Sequence, residues 1–316
     1  MVGIVILNYN NAEDTLNCLE SIMQFNTYPA KIVIVDNGST KTEIVKEIDT
    51  RLSGKYIGRY MKLQEGEKVP DRLADITLYV SRHNDGYAQG NNKGLNLLYR
   101  FPDIKNVMIL NSDILFVEDI IGRLVGDLQS VPDAAIVSPI LYKKGLQEID
   151  YNCARKSISP SDLFLEYMFL FHDVFNILST RRKRRNLLRG KEPSLDKPLL
   201  EIELPSGSCM IADKEFFKSI GSFDPNTFLY NEENILWVKI DRLGKKNYLD
   251  TRLKCIHLGA TTIDNKAASD FILNCSIESN HYFLKHYTNV GCVYLFFMRI
   301  FYQMLRLKIK LRRLLK

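Results

Sequence analysis

Six cysteines are present, yet none forms a C-x-x-C pair, and Met1 leads straight into an apolar strand with no basic n-region and no cleavage site. We therefore expect reduced thiols in a cytoplasmic protein. No internal repeat or low-complexity linker divides the 316 residues, and the 46% hydrophobic and 25% charged composition allows one large core or one core with an appendage. General basicity is also missing. Of the net +6, residues 290–316 carry seven basic side chains and no acid, and "RRKRRNLLRGK" at 181–191 holds seven more. The remaining body is acidic, which argues against a nucleic-acid binder.

What the sequence does have is alternation. "VGIVIL" (2–7), "KIVIVD" (31–36), "ITLYV" (76–80), "NVMILN" (106–111) and "AAIVSP" (134–139) are near-continuous apolar runs, the pattern of strands covered on both faces. Leu16, Leu19, Ile22, Met23 and Phe25 recur at helical spacing between the first two. This predicts an α/β sandwich with a mostly parallel sheet. Polar loops follow four of these strands: "NYNN", "DNGST", "SRHNDGYAQGNNKG" and "SD". In open α/β sheets that edge binds ligands, so four such loops imply one site. "NYNN" has no glycine, which excludes a Rossmann dinucleotide fingerprint. Gly86, Gly90 and Gly94 instead let backbone approach a ligand before a helix starts.

Taken singly, the residues leave alternatives open. Asp36 at a strand end either forms an Asx-type turn or accepts a hydrogen bond from a nucleotide base or ribose. Asp113 ends an apolar strand where a divalent cation, Mg²⁺ or Mn²⁺, would take few protein oxygens and complete its shell with phosphate. His257 is either a second ligand or a hydrogen-bonded strand-end residue. From about 145 to 200 the sheet pattern is interrupted by "DLFLEYMFLFHDVFNIL" and the basic cluster, an insertion packed over the sheet edge or contacting something outside. Glu232 and Glu233 follow "LPSGSCMIADKEFFKSIGSFDPNTFLYN" and stand in the first turn of a helix, where the dipole favours acids.

Together, "VILNYNNAEDTLNCLESI", "IVIVDNGST", "NDGYAQGNNKGL", "MILNSD", "LPSGSCMIADKEFFKSIGSFDPNTFLYNEENIL" and "HLGATT" resemble, in order, the family 2 glycosyltransferases of the GT-A fold, over roughly residues 1–287. In pattern they are nearest to bacterial enzymes that look like rhamnosyltransferases and other surface-polysaccharide transferases. The resemblance implies that Asn8, Tyr9, Asn10 and Asp36 hold the base of a UDP- or dTDP-sugar, and that Asn84, Gly86, Gly90 and Asn91 lie along the nucleotide. Asn111, Ser112 and Asp113 stand in for the D-x-D metal motif, with Asp113 and His257 as metal ligands. The family's Y-x-E-D-x-D falls on Tyr230, Glu232, Glu233 and Ile235. Glu233 inherits the role of base toward an acceptor hydroxyl, with inversion at the anomeric carbon. Ser206, Gly207 and Glu232 would contact the acceptor or donor sugar, and the 145–200 insertion would shape the acceptor side or face the membrane.

Residues 288–316 read as an amphipathic basic helix. Arg299, Gln303, Arg306, Lys310 and Arg313 lie on one face; Phe297, Ile300, Phe301, Met304, Leu307, Leu311 and Leu314 fill the other. Its apolar length is too short to cross a bilayer. It lies either in an anionic membrane interface or against the catalytic domain or a second copy, as in a homodimer. The expectation is an inverting, metal-assisted transferase acting on a glycan or lipid-linked acceptor at the inner face of the cell membrane. A catalytically silent sugar-nucleotide-binding partner is the alternative, motivated by Asn111, Glu233 and Ile235.

Overall fold

β-Branched side chains suit a sheet covered on both faces, and the apolar runs become its strands. In the computed structural model, which describes residues 1–168, 185–188, 198–259 and 266–314, the order begins β1 (Val2–Asn8), α1 (Ala12–Phe25), β2 (Ala30–Asp36), α2 (Thr42–Lys55), β3 (Tyr60–Gln64), β4 (Ile76–Val80), α3 (Gly86–Leu98), β5 (Asn106–Asn111), β6 (Ile114–Phe116), α4 (Ile121–Ser130) and β7 (Ala134–Tyr142). It continues β8 (Ala154–Arg155), α5 (Pro160–Met168), β9 (Leu199–Ile202), β10 (Leu204–Pro205), β11 (Cys209–Asp213), α6 (Lys214–Ser219), α7 (Glu232–Asp241), β12 (Lys246–His257), α8 (Lys266–Tyr287) and α9 (Cys292–Leu314).

Among the described residues the main sheet has ten strands, in the order β3-β4-β2-β1-β5-β11-β7-β12-β6, with β9 also on β12. The first five are mutually parallel. Asn8 lies level with Asp36 and Leu7 with Asn111, so the polar loops leave one edge. β11, unmarked as a separate strand in the sequence, runs antiparallel between β5 and β7. β12 joins two runs that the sequence shows as separate, "KKNYLD" and "KCIHLG", through a register shift between Asp250 and Lys254.

Alternation along the strands divides the core. Ile4, Ile6, Ile32, Ile34, Met108 and Leu110 pack with Leu16, Leu19, Ile22, Ile48, Leu52 and Leu124 of α1, α2 and α4. Val5, Val33, Val35, Val107 and Ile109 pack with Leu95, Leu98, Phe217, Leu236 and Ile240 of α3, α6 and α7. This is the expected α/β/α sandwich. Asn11 caps α1 by accepting from Asp14 N–H at 3.1 Å, and Asp213 caps α6 by accepting from Phe216 N–H at 2.8 Å.

A third cluster joins Leu163 and Tyr167 of α5, Ile235 of α7, Ile277, Phe283 and Leu284 of α8, and Met298, Tyr302 and Leu305 of α9. Ile235, at the position of the last acid in the sequence pattern that the chain resembles, is 1% exposed and anchors α7 in this apolar cluster. The tail helix is docked by this face. Val293, Phe297, Ile300, Met304, Leu307 and Leu311 remain exposed, at 38 to 70%, as a second apolar stripe. Of the 160–178 helix expected from sequence, residues after Met168 lie outside the described residues, as does most of the basic cluster.

Candidate functional site

Asn8 and Asp36 are 0% and 1% exposed, so they bond to each other and to their own loops. Asn8 Nδ2 donates to Asp36 Oδ1 at 2.8 Å, and Asp36 accepts from Ser39 N–H at 3.1 Å and Ser39 Oγ at 2.5 Å. The Asx-type turn is thus the geometry present, and Asp36 aligns the loop from within. Tyr9 is exposed. Asn10 adopts a left-handed φ of 56° and accepts from Thr40 N–H at 2.9 Å, tying the first two loops together.

The glycine-rich segment is correspondingly self-packed. Gly86 has φ of +80°, and a Cβ there would lie 2.2 Å from Phe228 O; Gly90 and Gly94 press α3 against Leu7, Val5 and Val35. The close approach expected toward a ligand is made toward the protein's own loops and strands. Asn91 is fully buried and donates to Tyr87 O at 3.0 Å, which takes it off the surface. Asn84 Oδ1 accepts from Asn37 Nδ2 at 3.0 Å, and Asn37 donates also to Gly86 O at 2.9 Å. Asn37 was legible only as part of "DNGST", and it clamps two of the loops together.

The second half of the site is a chain of contacts across β5, β10, β11 and β12. Asn111 at the end of β5 donates to Ser208 Oγ at 3.1 Å; Ser208 Oγ lies 3.4 Å from His257 Nε2. His257 Nε2 is 3.3 Å from Asp113 Oδ2, while its Nδ1 is 2.8 Å from Asp150 Oδ2. Ser112 stands between Asn111 and Asp113 in the same turn. Burial works against the imidazolium, but the hydrogen bonds to Asp113 and Asp150 prevail and raise the His257 pKa to about 9. Burial likewise opposes the Asp150 carboxylate, and its bond to His257 holds that pKa below the usual value.

Asp113 and His257 fit a divalent cation. Two ligands on adjacent octahedral positions at ~2.1 Å from one ion lie about 3 Å apart, near the observed separation, and Asp150 orients the ring as a carboxylate behind a ligating histidine does. No group of three His, Cys, Asp or Glu suited to a metal occurs among the described residues, so the remaining ligands of such an ion would be phosphate oxygens and water.

At the N-terminus of α7 the two acids part company. Tyr230 and Asn231 adopt left-handed φ of 75° and 67°, an arrangement costly for non-glycine residues and held by Asn231 Nδ2 donating to Asn280 Oδ1 at 2.7 Å. The turn sends Glu232 inward, to 6% exposure, with Oε1 unpartnered among the described residues. This corrects the expected sugar contact by Glu232: it is a core carboxyl whose pKa is raised to about 8 by burial and then by the charge of Glu233. Glu233 turns toward the small-residue loop, where Oε1 accepts from Gly207 N–H at 3.2 Å and lies 3.4 Å from Arg155 Nη2. Tyr87 OH donates to Gly207 O at 2.6 Å. A Cβ on Gly207 would lie 2.8 Å from Tyr87 OH and 3.2 Å from Glu233 Oε1, so a side chain there would first displace the Tyr87 hydroxyl and crowd Glu233. Ser206 Oγ accepts from Ser208 N–H at 3.3 Å and shapes the same turn.

Asp150, Arg155 and Tyr87 are functional candidates that sequence reading missed. Tyr87 sits inside a quoted motif, whereas Asp150 and Arg155 belong to the unpatterned start of the insertion.

Glu232 gives a sharp pH test. Its folded pKa lies above the unfolded value, so between about pH 4.5 and 8 the unfolded chain has lost a proton that the folded one keeps, and stability falls as pH rises. Glu232→Gln abolishes that slope. The Tm advantage of the variant should grow from pH 5 to pH 8, by as much as ~4 kcal/mol in stability; parallel Tm profiles would show that Glu232 ionises normally.

No protein-family model matches the chain. Among curated proteins it is 27% identical over 233 residues to the low-salt glycan biosynthesis hexosyltransferase Agl10 of Haloferax volcanii, covering 73% of this chain and 59% of that protein. Among solved structures it resembles GalNAc-T7, crystallised with UDP, GalNAc and Mn²⁺, at a TM-score of 0.56 and 13% identity, covering 90% of this chain and 50% of that one. The chain thus spans 59% and 50% of the lengths of these two proteins.

Proposed function

The fold is that of the GT-A glycosyltransferases, and on that premise we propose that the protein is an inverting transferase moving a hexosyl or deoxyhexosyl group from a UDP- or dTDP-sugar to a glycan or lipid-linked acceptor in surface-polysaccharide assembly. The observation that carries the proposal is Glu233. Its carboxylate is presented at the Gly207 turn, and the adjoining residue Ser208 reaches His257 beside Asp113. A silent binding partner would have no need of a carboxylate held there.

In the proposed reaction Glu233 takes the acceptor hydroxyl proton as that oxygen attacks the anomeric carbon and the nucleoside diphosphate departs from the opposite side. The Gly207 N–H and Arg155 hold Glu233 in place, and the α7 N-terminus favours an acid there. Asp113 and His257 would hold a Mn²⁺ or Mg²⁺ ion, which when bound offsets the diphosphate charge. Tyr9, Asn10 and the loops aligned by Asn8, Asp36, Asn37 and Asn84 would form the nucleotide side. Transfer assays with UDP- and dTDP-sugars, with and without Mn²⁺, test the proposal through the product's anomeric configuration. A retained configuration would overturn the single-displacement reading, and binding without hydrolysis or transfer would favour the silent partner.

Residues 1–287 would be the catalytic unit, with 288–316 lying on the inner face of the membrane. No helix among the described residues is long and apolar enough to cross a bilayer, whereas the exposed stripe of α9, in a segment without acids, suits an anionic interface. Like charge along that segment disfavours a second copy as the occupant. Deleting α9 is an unsuitable test, because Met298, Tyr302 and Leu305 are buried in the third cluster and each large apolar side chain contributes roughly 1.5–3 kcal/mol. Phe297→Glu with Ile300→Glu leaves that cluster intact. It should move the protein off anionic vesicles while sparing turnover of a water-soluble acceptor; unchanged cosedimentation would remove α9 as the anchor.

A further inference from the structure

The catalytic reading makes no use of a groove of about 570 Å³ between α8 and α9. Lys285, Arg299 and Arg306 line it, together with His281, His286 and Tyr302, against a single acid, Glu278. The cations are not spent on carboxylates: Arg299 contacts His281 Nε2 at 3.5 Å, Arg306 donates to Asn274 Oδ1 at 3.0 Å, and Lys285 has no ion pair among the described residues. Burial, and then the charges of Arg299, Lys285 and His286, push the His281 pKa below its usual value.

Two further polar atoms wait in the same lining. Tyr302 is 3% exposed, and among the described residues neither its hydroxyl nor the buried His281 Nδ1 has a hydrogen-bond partner. Buried polar groups are ordinarily hydrogen-bonded, so this lining is rich in donors and short of acceptors. An anion with several acceptor oxygens supplies what is missing, and Lys285 from α8 with Arg299 and Arg306 from α9 are the donors that line the groove. The exposed apolar stripe of Phe297, Ile300 and Met304 shares α9 with Arg299 and Arg306. A phosphate carrying an acyl or prenyl chain would therefore find partners for both ends.

We propose that the α8–α9 groove is a headgroup site for the phosphate of a membrane lipid; this rests on the interfacial reading of α9. The same turn of α8 holds the loop before the acidic pair, since Ser279 Oγ donates to Leu229 O at 2.8 Å and Asn280 accepts from Asn231. The headgroup site and the turn that presents Glu233 thus share one structural support.

The test compares binding of the full chain to phosphatidylcholine vesicles containing either phosphatidic acid or oleic acid at matched surface charge. The wild type should prefer the phosphate vesicles by ~10-fold or more, as a charge-assisted hydrogen bond implies. Lys285→Gln with Arg299→Gln should abolish the preference, and Lys310→Gln, outside the groove, should weaken both bindings in parallel. Equal binding of the wild type to both kinds of vesicle, or a preference that survives the double variant, overturns the site. Soluble dihexanoyl phosphatidic acid should raise Tm where equal inorganic phosphate does not; equal effects would make this a free-phosphate site and overturn the lipid assignment. Binding of the soluble lipid without any vesicle binding would support the groove and sink the interfacial reading alone.

Discussion

Glu233→Gln should lower turnover by ~10²–10⁴-fold, the range a positioned general base supplies, with Tm and donor affinity near wild type. Glutamine keeps Oε1, and with it the 3.2 Å contact from Gly207 N–H, so the side chain should hold its place while losing the ability to take a proton. The ion pair with Arg155 is lost, but both side chains are partly exposed, at 28% and 22%, so the stability cost is small. Turnover should be measured with saturating donor over pH 5 to 9. Glu232→Gln is the comparison, and its turnover should stay near wild type because Glu232 is buried. Near-normal turnover in Glu233→Gln with a dead Glu232→Gln would transfer the base role to Glu232. If both variants stay active, neither acid is the base.

Asp113→Ala should abolish cation-dependent donor binding, a larger effect than the ~10–100-fold loss in metal affinity that follows removal of a residue supporting a ligand. Among the described residues, Asp113 provides the only carboxylate within 3.3 Å of His257 Nε2, because Asp150 occupies the other ring nitrogen. His257→Ala should weaken the same binding less, and Asp150→Asn should fall within that ~10–100-fold range by loosening the ring. Mn²⁺ titration of the protein with UDP, followed by electron paramagnetic resonance, reads all three without relying on turnover. Unchanged Mn²⁺ affinity in Asp113→Ala would sink the cation assignment. Loss of folding in His257→Ala with unaltered affinity would make the histidine structural.

Much of this architecture was legible in the residues because it is written locally. Strand runs such as "VGIVIL" and "NVMILN" bury both faces, so composition alone marks them, and consecutive parallel strands bring their following loops to one edge. The order of the polar loops therefore pointed to that edge as the candidate site, and the amphipathic period of the tail announced a helix. Three matters needed the tertiary structure. Adjacent residues on a helix point roughly 100° apart, so one of Glu232 and Glu233 faces in and the other out; the turn at Tyr230 and Asn231 and the anchoring of Ile235 decide which. Asp150 and His257 are 107 positions apart, and no local period connects a strand-end histidine to a carboxylate in an insertion. Which apolar face of α9 docks and which stays exposed depends on what α5 and α8 offer it, for both faces repeat at helical spacing and differ only in their neighbours.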